Sequence, residues 1–130
     1  MEIREFAEKF IEAEEAAFQR GEFEALEELE DPNVTYHMVE RGDIVGHEAH
    51  KQDIMVTRQV VSDFKQTFDY VTGDGSVFVI AYTSSGRLGE VPGSPEMSGK
   101  KISMDALWAV QVRNGKVTEV WTKGATTLTD

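Results

Sequence analysis

Apolar residues follow a helical period at the start of the chain and a two-residue period at its end, and this change of rhythm organises everything between. Over residues 3–20, at about 100° per residue, Ile3, Phe6, Ala7, Phe10, Ile11, Ala17 and Phe18 gather into one stripe. Glu5, Glu8, Lys9, Glu12 and Glu15 lie opposite, the pattern of an amphipathic helix. Gly21 allows a break. Phe23, Leu26 and Leu29 mark a shorter second helix, which must stop before Pro32 because proline drives its predecessor out of the α region. Val34–Val39 is predicted as a short strand and Arg41-Gly42-Asp43 as a turn. Gly46 is followed by a third helix, about His47 to Val61, with His50, Ile54, Thr57 and Val61 on its inner stripe.

From Phe64 onward the period is two. Phe64–Val71 and Ser76–Ser85 read as strands on either side of the turn Gly73-Asp74-Gly75, and Gly86–Gly99 reads as a long loop. The closing stretch, Lys101 to Asp130, holds two alternating runs joined at Arg113-Asn114-Gly115-Lys116. Asn-Gly accepts positive φ at both central positions of a tight turn, so the runs should pair as a long antiparallel hairpin. Ile102, Met104, Ala106, Trp108, Val110 and Val112 share one face of it. Only the helical sequence at the other end of the chain can cover that face. Three helices with a strand among them, then four consecutive antiparallel strands, make an α+β domain whose sheet curls around the helices.

Composition narrows the class of partner. At 130 residues the chain is expected to form one domain, residues 1–130. The net charge is −11, and residues 1–31 hold twelve acidic against three basic side chains. Phosphate-rich partners call for clustered Lys and Arg, so neither nucleic acid nor an anionic membrane is expected. No cysteine is present, which removes disulfides, thiolate metal sites and a thiol nucleophile. No apolar run approaches the roughly 20 residues of a membrane span, and MEIREFAEKF lacks the features of a signal peptide. A cytoplasmic protein is the expectation.

The order of elements, together with Val34-Thr35-Tyr36-His37, Gly46 and Phe64 around the third helix, Gly73-Asp74-Gly75, Ser98-Gly99-Lys100-Lys101, and Gln111 through Trp121, resembles the SnoaL-like branch of the nuclear-transport-factor-like superfamily. That superfamily includes ketosteroid isomerase and limonene epoxide hydrolase. The resemblance covers nearly the whole chain. It implies a cone-shaped, cystatin-like fold with an apolar pocket open at one end, and commonly a homodimer. It does not imply one reaction, because the fold hosts enzymes, binding proteins and assembly modules. The epoxide hydrolases look like Arg-x-Asp on the fourth strand plus an aspartate after the last tryptophan, where this chain has Ala81, Thr83 and Lys123. Their mechanism is therefore not expected. The aspartate usual in SnoaL-like cyclases is also missing from Trp121-Thr122-Lys123-Gly124-Ala125.

Glu14 breaks the local pattern, since its helical angle puts a carboxylate among Phe10, Ile11, Ala17 and Phe18. Burial there would raise its pKa toward the range useful for proton transfer. A satisfied structural carboxylate is the alternative. His37 lies on a strand face with Thr35 that the resemblance turns toward the cavity, and His50 occupies an inner helical position. Either could act as base, acid or ligand anchor, or be a hydrogen-bonded core histidine. Glu14, His37 and His50 are thus the candidate catalytic residues. They share no local ligand spacing, so no metal is expected, and no cofactor either. Thr35, Phe78, Thr83, Met104, Trp108, Trp121 and Lys123 are the candidate substrate contacts, suited to a small apolar molecule. His47 reads as a surface residue at a helix start, and Asp105 as outer surface. The expected activity is acid/base chemistry on a carbonyl compound: isomerisation, cyclisation or dehydration. A non-catalytic ligand-binding or dimerisation module of the same fold is the rival.

Overall fold

The structure, a computed structural model, describes residues 2–130. Three helices come first: α1 (Ile3–Arg20), α2 (Glu24–Leu29) and α3 (His47–Val60). Between α2 and α3 run β1 (Glu30–His37) and β2 (Asp43–Val45). The remainder is β3 (Val61–Asp74), β4 (Val77–Leu88), β5 (Lys101–Arg113) and β6 (Lys116–Thr129). The six strands form one curled sheet in the order β2-β1-β6-β5-β4-β3. All neighbours are antiparallel except β1 and β6, which run parallel. The helices cover one face. This is the α+β architecture that the change of period predicts.

Local chemistry explains the boundaries. Gly21 closes α1 in the left-handed conformation (φ 68°), its N–H donating to the Ala17 carbonyl and that of Glu22 to the Ala16 carbonyl. Asn114 and Gly115 both have positive φ (52° and 74°), as the hairpin requires. β1 begins at Glu30, earlier than Val34, and carries Pro32 across a register irregularity between Glu30 and Thr35, where no ladder donor is needed. β2 is a three-residue edge strand that begins at Asp43, the last residue of the predicted turn, and runs on through two residues the sequence leaves unassigned. β4 extends through Gly86 to Leu88, which shortens the predicted loop, and residues 95–97 add a turn of 3-10 helix within it.

The core lies between α1 and the inner face of the sheet. Phe6, Ala7, Phe10, Ala13 and Ala17 of α1 meet Val34, Tyr36, Phe78, Ile80, Tyr82, Ala106, Trp108, Val110, Val117 and Val120. Aromatic rings interlock there: Phe10 meets Phe78 edge-on at 5.8 Å, and Tyr82 stacks on Trp108 at 4.8 Å. No helix among the described residues is long and apolar enough to cross a membrane.

Candidate functional site

A cluster of polar side chains is sealed within this apolar interior. Glu14 is 0% exposed and Glu30 1%, and His50, His47 and Tyr36 are buried beside them. Each arrives for a reason of local geometry. Glu14 sits on the buried stripe of α1, Glu30 is the first residue of β1, and His47 and His50 lie one turn apart at the start of α3. Tyr36 reaches in from β1, and its ring stacks on His50 at 3.8 Å.

Glu30 is the hub. One of its oxygens, Oε2, accepts from the Tyr36 hydroxyl at 2.5 Å and from His50 Nδ1 at 2.9 Å. Its other oxygen accepts from His47 Nδ1 at 2.7 Å. Burial alone would raise the Glu30 pKa, but the hydrogen bonds and charge of His50, with Tyr36 and His47 behind them, hold it below the usual carboxylate value. For His50, burial works toward a lower pKa, and the charges of Glu14 and Glu30 with the Glu30 hydrogen bond reverse that and leave it raised. Glu30 and His50 therefore form a buried ion pair.

Glu14 behaves differently. Its Oε1 lies 2.8 Å from the Tyr36 oxygen and 3.9 Å from His50 Nε2, too far for a hydrogen bond to the imidazole. Its Oε2 is buried with no partner. Desolvation pushes its pKa up to about 7, opposed by His50, reinforced by the Glu30 charge and opposed again by the Tyr36 bond. Burial and the two carboxylates lift the Tyr36 phenol well above 10. A second buried polar atom, Trp108 Nε1, also lacks a partner. The Trp108 ring meets that of Tyr36 edge-on at 6.4 Å.

The expected concavity shared by all the candidate residues is not what the fold builds. Glu14 and His50 come together, with Phe78, Trp108 and partly buried Met104 on the same inner face. His37, Thr35, Thr83, Trp121 and Lys123 lie on the opposite, outer face. On β1 the inward positions are Val34 and Tyr36, which turns Thr35 and His37 away. His37 instead lies 2.6 Å from Glu119 and 2.9 Å from Asp43, and stacks on Trp121 at 5.6 Å. Glu119 first, then Asp43, keeps its pKa above 6.5. Trp121 is turned outward because β6 carries one extra residue, Thr118, between the Val117–Val112 and Glu119–Gln111 pairs. Beyond this bulge Val120 and Thr122 face inward. Thr83 is exposed and pairs with Thr67, and Lys123 is exposed as well, so neither lines the interior as a substrate contact. His47 is the reverse correction: only 6% exposed, it belongs to the interior network.

Glu30, Tyr36 and His47 escape a sequence reading. Glu30 hides in an acidic run, Tyr36 passes as an ordinary strand aromatic, and His47 as a helix start. Glu14, Glu30 and His50 each offer one ligand atom within 4.8 Å of the others, a donor set that suits zinc. Tyr36, bonded to both carboxylates, occupies the space between them and would have to move aside.

The family model described as SnoaL-like polyketide cyclase matches residues 8–123. The chain belongs to this family. No curated protein matches it in sequence. Among solved structures, TsrD from Streptomyces laurentii is 24% identical with a TM-score of 0.76, over 93% of this chain and 89% of that one. An NTF2-like protein from Burkholderia xenovorans LB400 is 17% identical with a TM-score of 0.73, over 94% and 90%. An LEH-like epoxide hydrolase from M. tuberculosis is 16% identical with a TM-score of 0.69, over 93% and 84%. At these identities the structures establish a common fold. In this SnoaL-like chain, Ala81, Thr83 and Lys123, the positions that the sequence resemblance sets against the epoxide-hydrolase residues, lie on β4 and β6 away from the interior cluster.

Proposed function

We propose that the protein is an acid/base enzyme acting on a small apolar carbonyl compound, with Glu14 as the proton carrier. One observation carries this reading: a fully buried carboxyl whose pKa of about 7 populates both protonation states near neutrality, with one oxygen unbonded. A general base of this kind is matched to its working pH. Ionised Glu14 would take the proton from the carbon next to the carbonyl, leaving the electron pair on the enolate. The unpartnered Trp108 N–H is the available donor to the enolate oxygen. Neutral Glu14 then returns the proton to a second carbon, completing an isomerisation without a cofactor. Glu30, tied up by three donors, holds Tyr36 and His50 in place and takes no proton itself.

The sealed interior favours a second reading. Glu14, Tyr36 and Phe78 have essentially no exposed surface, so a ligand must part the helices from the sheet. A non-catalytic ligand-binding or dimerisation module needs no such opening. A thermal-shift screen against aromatic polyketides, steroids and terpenoids separates the two, since a bound ligand raises the melting temperature by mass action. Hits that exchange their α-hydrogen for solvent deuterium with the natural protein, and not with Glu14→Gln, support the enzyme. Hits without exchange, or none at all, support the module.

A further inference from the structure

A group of cations lies on the outer face of the sheet, the face turned away from Glu14. We infer that Lys65, Arg87 and Lys101, around the β3 bulge, form a binding site for a phosphate monoester. These three cations line one concavity of about 240 Å³ with Asp63, Ser85 and Gly86. Register explains their convergence. Lys65 pairs with Ser85 and Arg87 pairs with Lys101, while Ser85 and Arg87, two residues apart on β4, share a face.

The concavity is made by a backbone irregularity. Between the Ser62–Arg87 and Lys65–Ser85 pairs the register of β3 shifts, and Asp63 adopts a left-handed conformation with φ 55°. Gly86 makes this possible: a Cβ there would fall 2.3 Å from Val61 Cγ1. Bulges of this kind commonly re-aim side chains at functional positions.

The cations are also unspent. Lys65 and Lys101 form no ion pair among the described residues, although acids outnumber bases by 24 to 13 in the chain. Neighbouring Lys100, by contrast, is paired with Asp130 at 3.2 Å. Arg87 donates from Nη1 to the Gly99 carbonyl at 2.6 Å, which fixes the guanidinium and leaves its other N–H groups to a ligand. Three cations against one carboxylate leave a surplus of two positive charges, the charge of a phosphate monoester dianion. The acidic remainder of the protein matters less here, because charges beyond about 8 Å are screened at physiological salt.

The test is an NMR titration of isotope-labelled full-length protein with phenyl phosphate at about pH 8, above a monoester's second pKa of about 6. Ionic strength is held constant with sodium chloride, and benzoate serves as the monoanionic control. Saturable amide shifts in residues 63–65, 85–87 and 99–101 are expected, with benzoate roughly tenfold weaker. Lys65→Gln and Lys101→Gln, both at exposed positions, should each weaken binding about tenfold, the worth of one charge-assisted hydrogen bond. Shifts that never saturate, benzoate binding as tight as phenyl phosphate, or variants that bind like the natural protein would each overturn the proposal.

Discussion

The hydroxyl of Tyr36 lies 2.8 Å from Glu14 and 2.5 Å from Glu30, and it has one hydrogen to give. Glu30 receives it, being closer and held ionised by two histidines. When Glu14 is neutral, the Glu14 contact is made by its own proton, donated from the carboxyl to the tyrosine oxygen. The raised Glu14 pKa, about 7, makes this neutral Glu14 beside a charged Glu30 one of the two states populated near neutrality.

Glu14→Gln is accordingly an isosteric copy of that neutral state, with the amide N–H donating where the carboxyl did. Stability at pH 7 should stay level or rise in urea denaturation, while α-proton exchange falls by roughly 10²-fold or more. A variant destabilised by several kcal/mol would instead show that Glu14 is half of an ion pair, and the catalytic proposal would end there.

Glu30→Gln should behave in the opposite way. Removing the negative charge leaves the buried His50 imidazolium uncompensated, a loss of about 3–5 kcal/mol in the same measurement. Tyr36→Phe should cost less, about 1–3 kcal/mol, since it strands carboxyl oxygens without stranding a charge.

The pH profile carries a sign for each group. Glu14, raised from 4.5 to about 7, contributes stability that is fully present below 4.5 and lost as pH climbs toward 7. At most about 1.4 kcal/mol is lost per pH unit in that window. His50, also raised, contributes stability below 6.5 that disappears as pH passes its folded value. Glu30 is lowered, so its contribution holds above 4.5 and is lost in acid. Urea titrations across pH should therefore show a decline between 4.5 and 7 that Glu14→Gln flattens. An unchanged slope in the variant would contradict the assignment.

A homodimer through the outer face of the sheet is expected, because helices cover only the inner one. Leu107 stands 53% exposed at the middle of that face. Sedimentation at tens of micromolar, chosen above typical dimer affinities, should give a dimer, and Leu107→Asp a monomer. A monomeric natural protein would refute it.

The helices, the closing hairpin and the inward set from Met104 to Val110 are legible in sequence, because a period repeated over many residues averages out local exceptions. Glu14 and His50 are legible for the same reason, as polar residues at positions the helical period marks as buried. What fails is parity on the two short or irregular stretches. On β1 the alternation of Val34 and Tyr36 already points those residues inward, against the resemblance, which turns His37 toward the cavity. On β6 no residue type announces a bulge at Thr118. Glu30 and His47 meet only through long-range folding, being 17 positions apart in sequence, and no local period could pair them.

The bulge at Thr118 has a consequence for how roles pass between relatives. One inserted residue swaps the inside and outside of everything that follows it on β6, so Trp121 looks out while Thr122 looks in. A relative without the insertion would present the aligned tryptophan to its cavity. Transfer of function along this strand is therefore a matter of counting backbone pairs, and matching letters alone would assign a surface residue to a binding site.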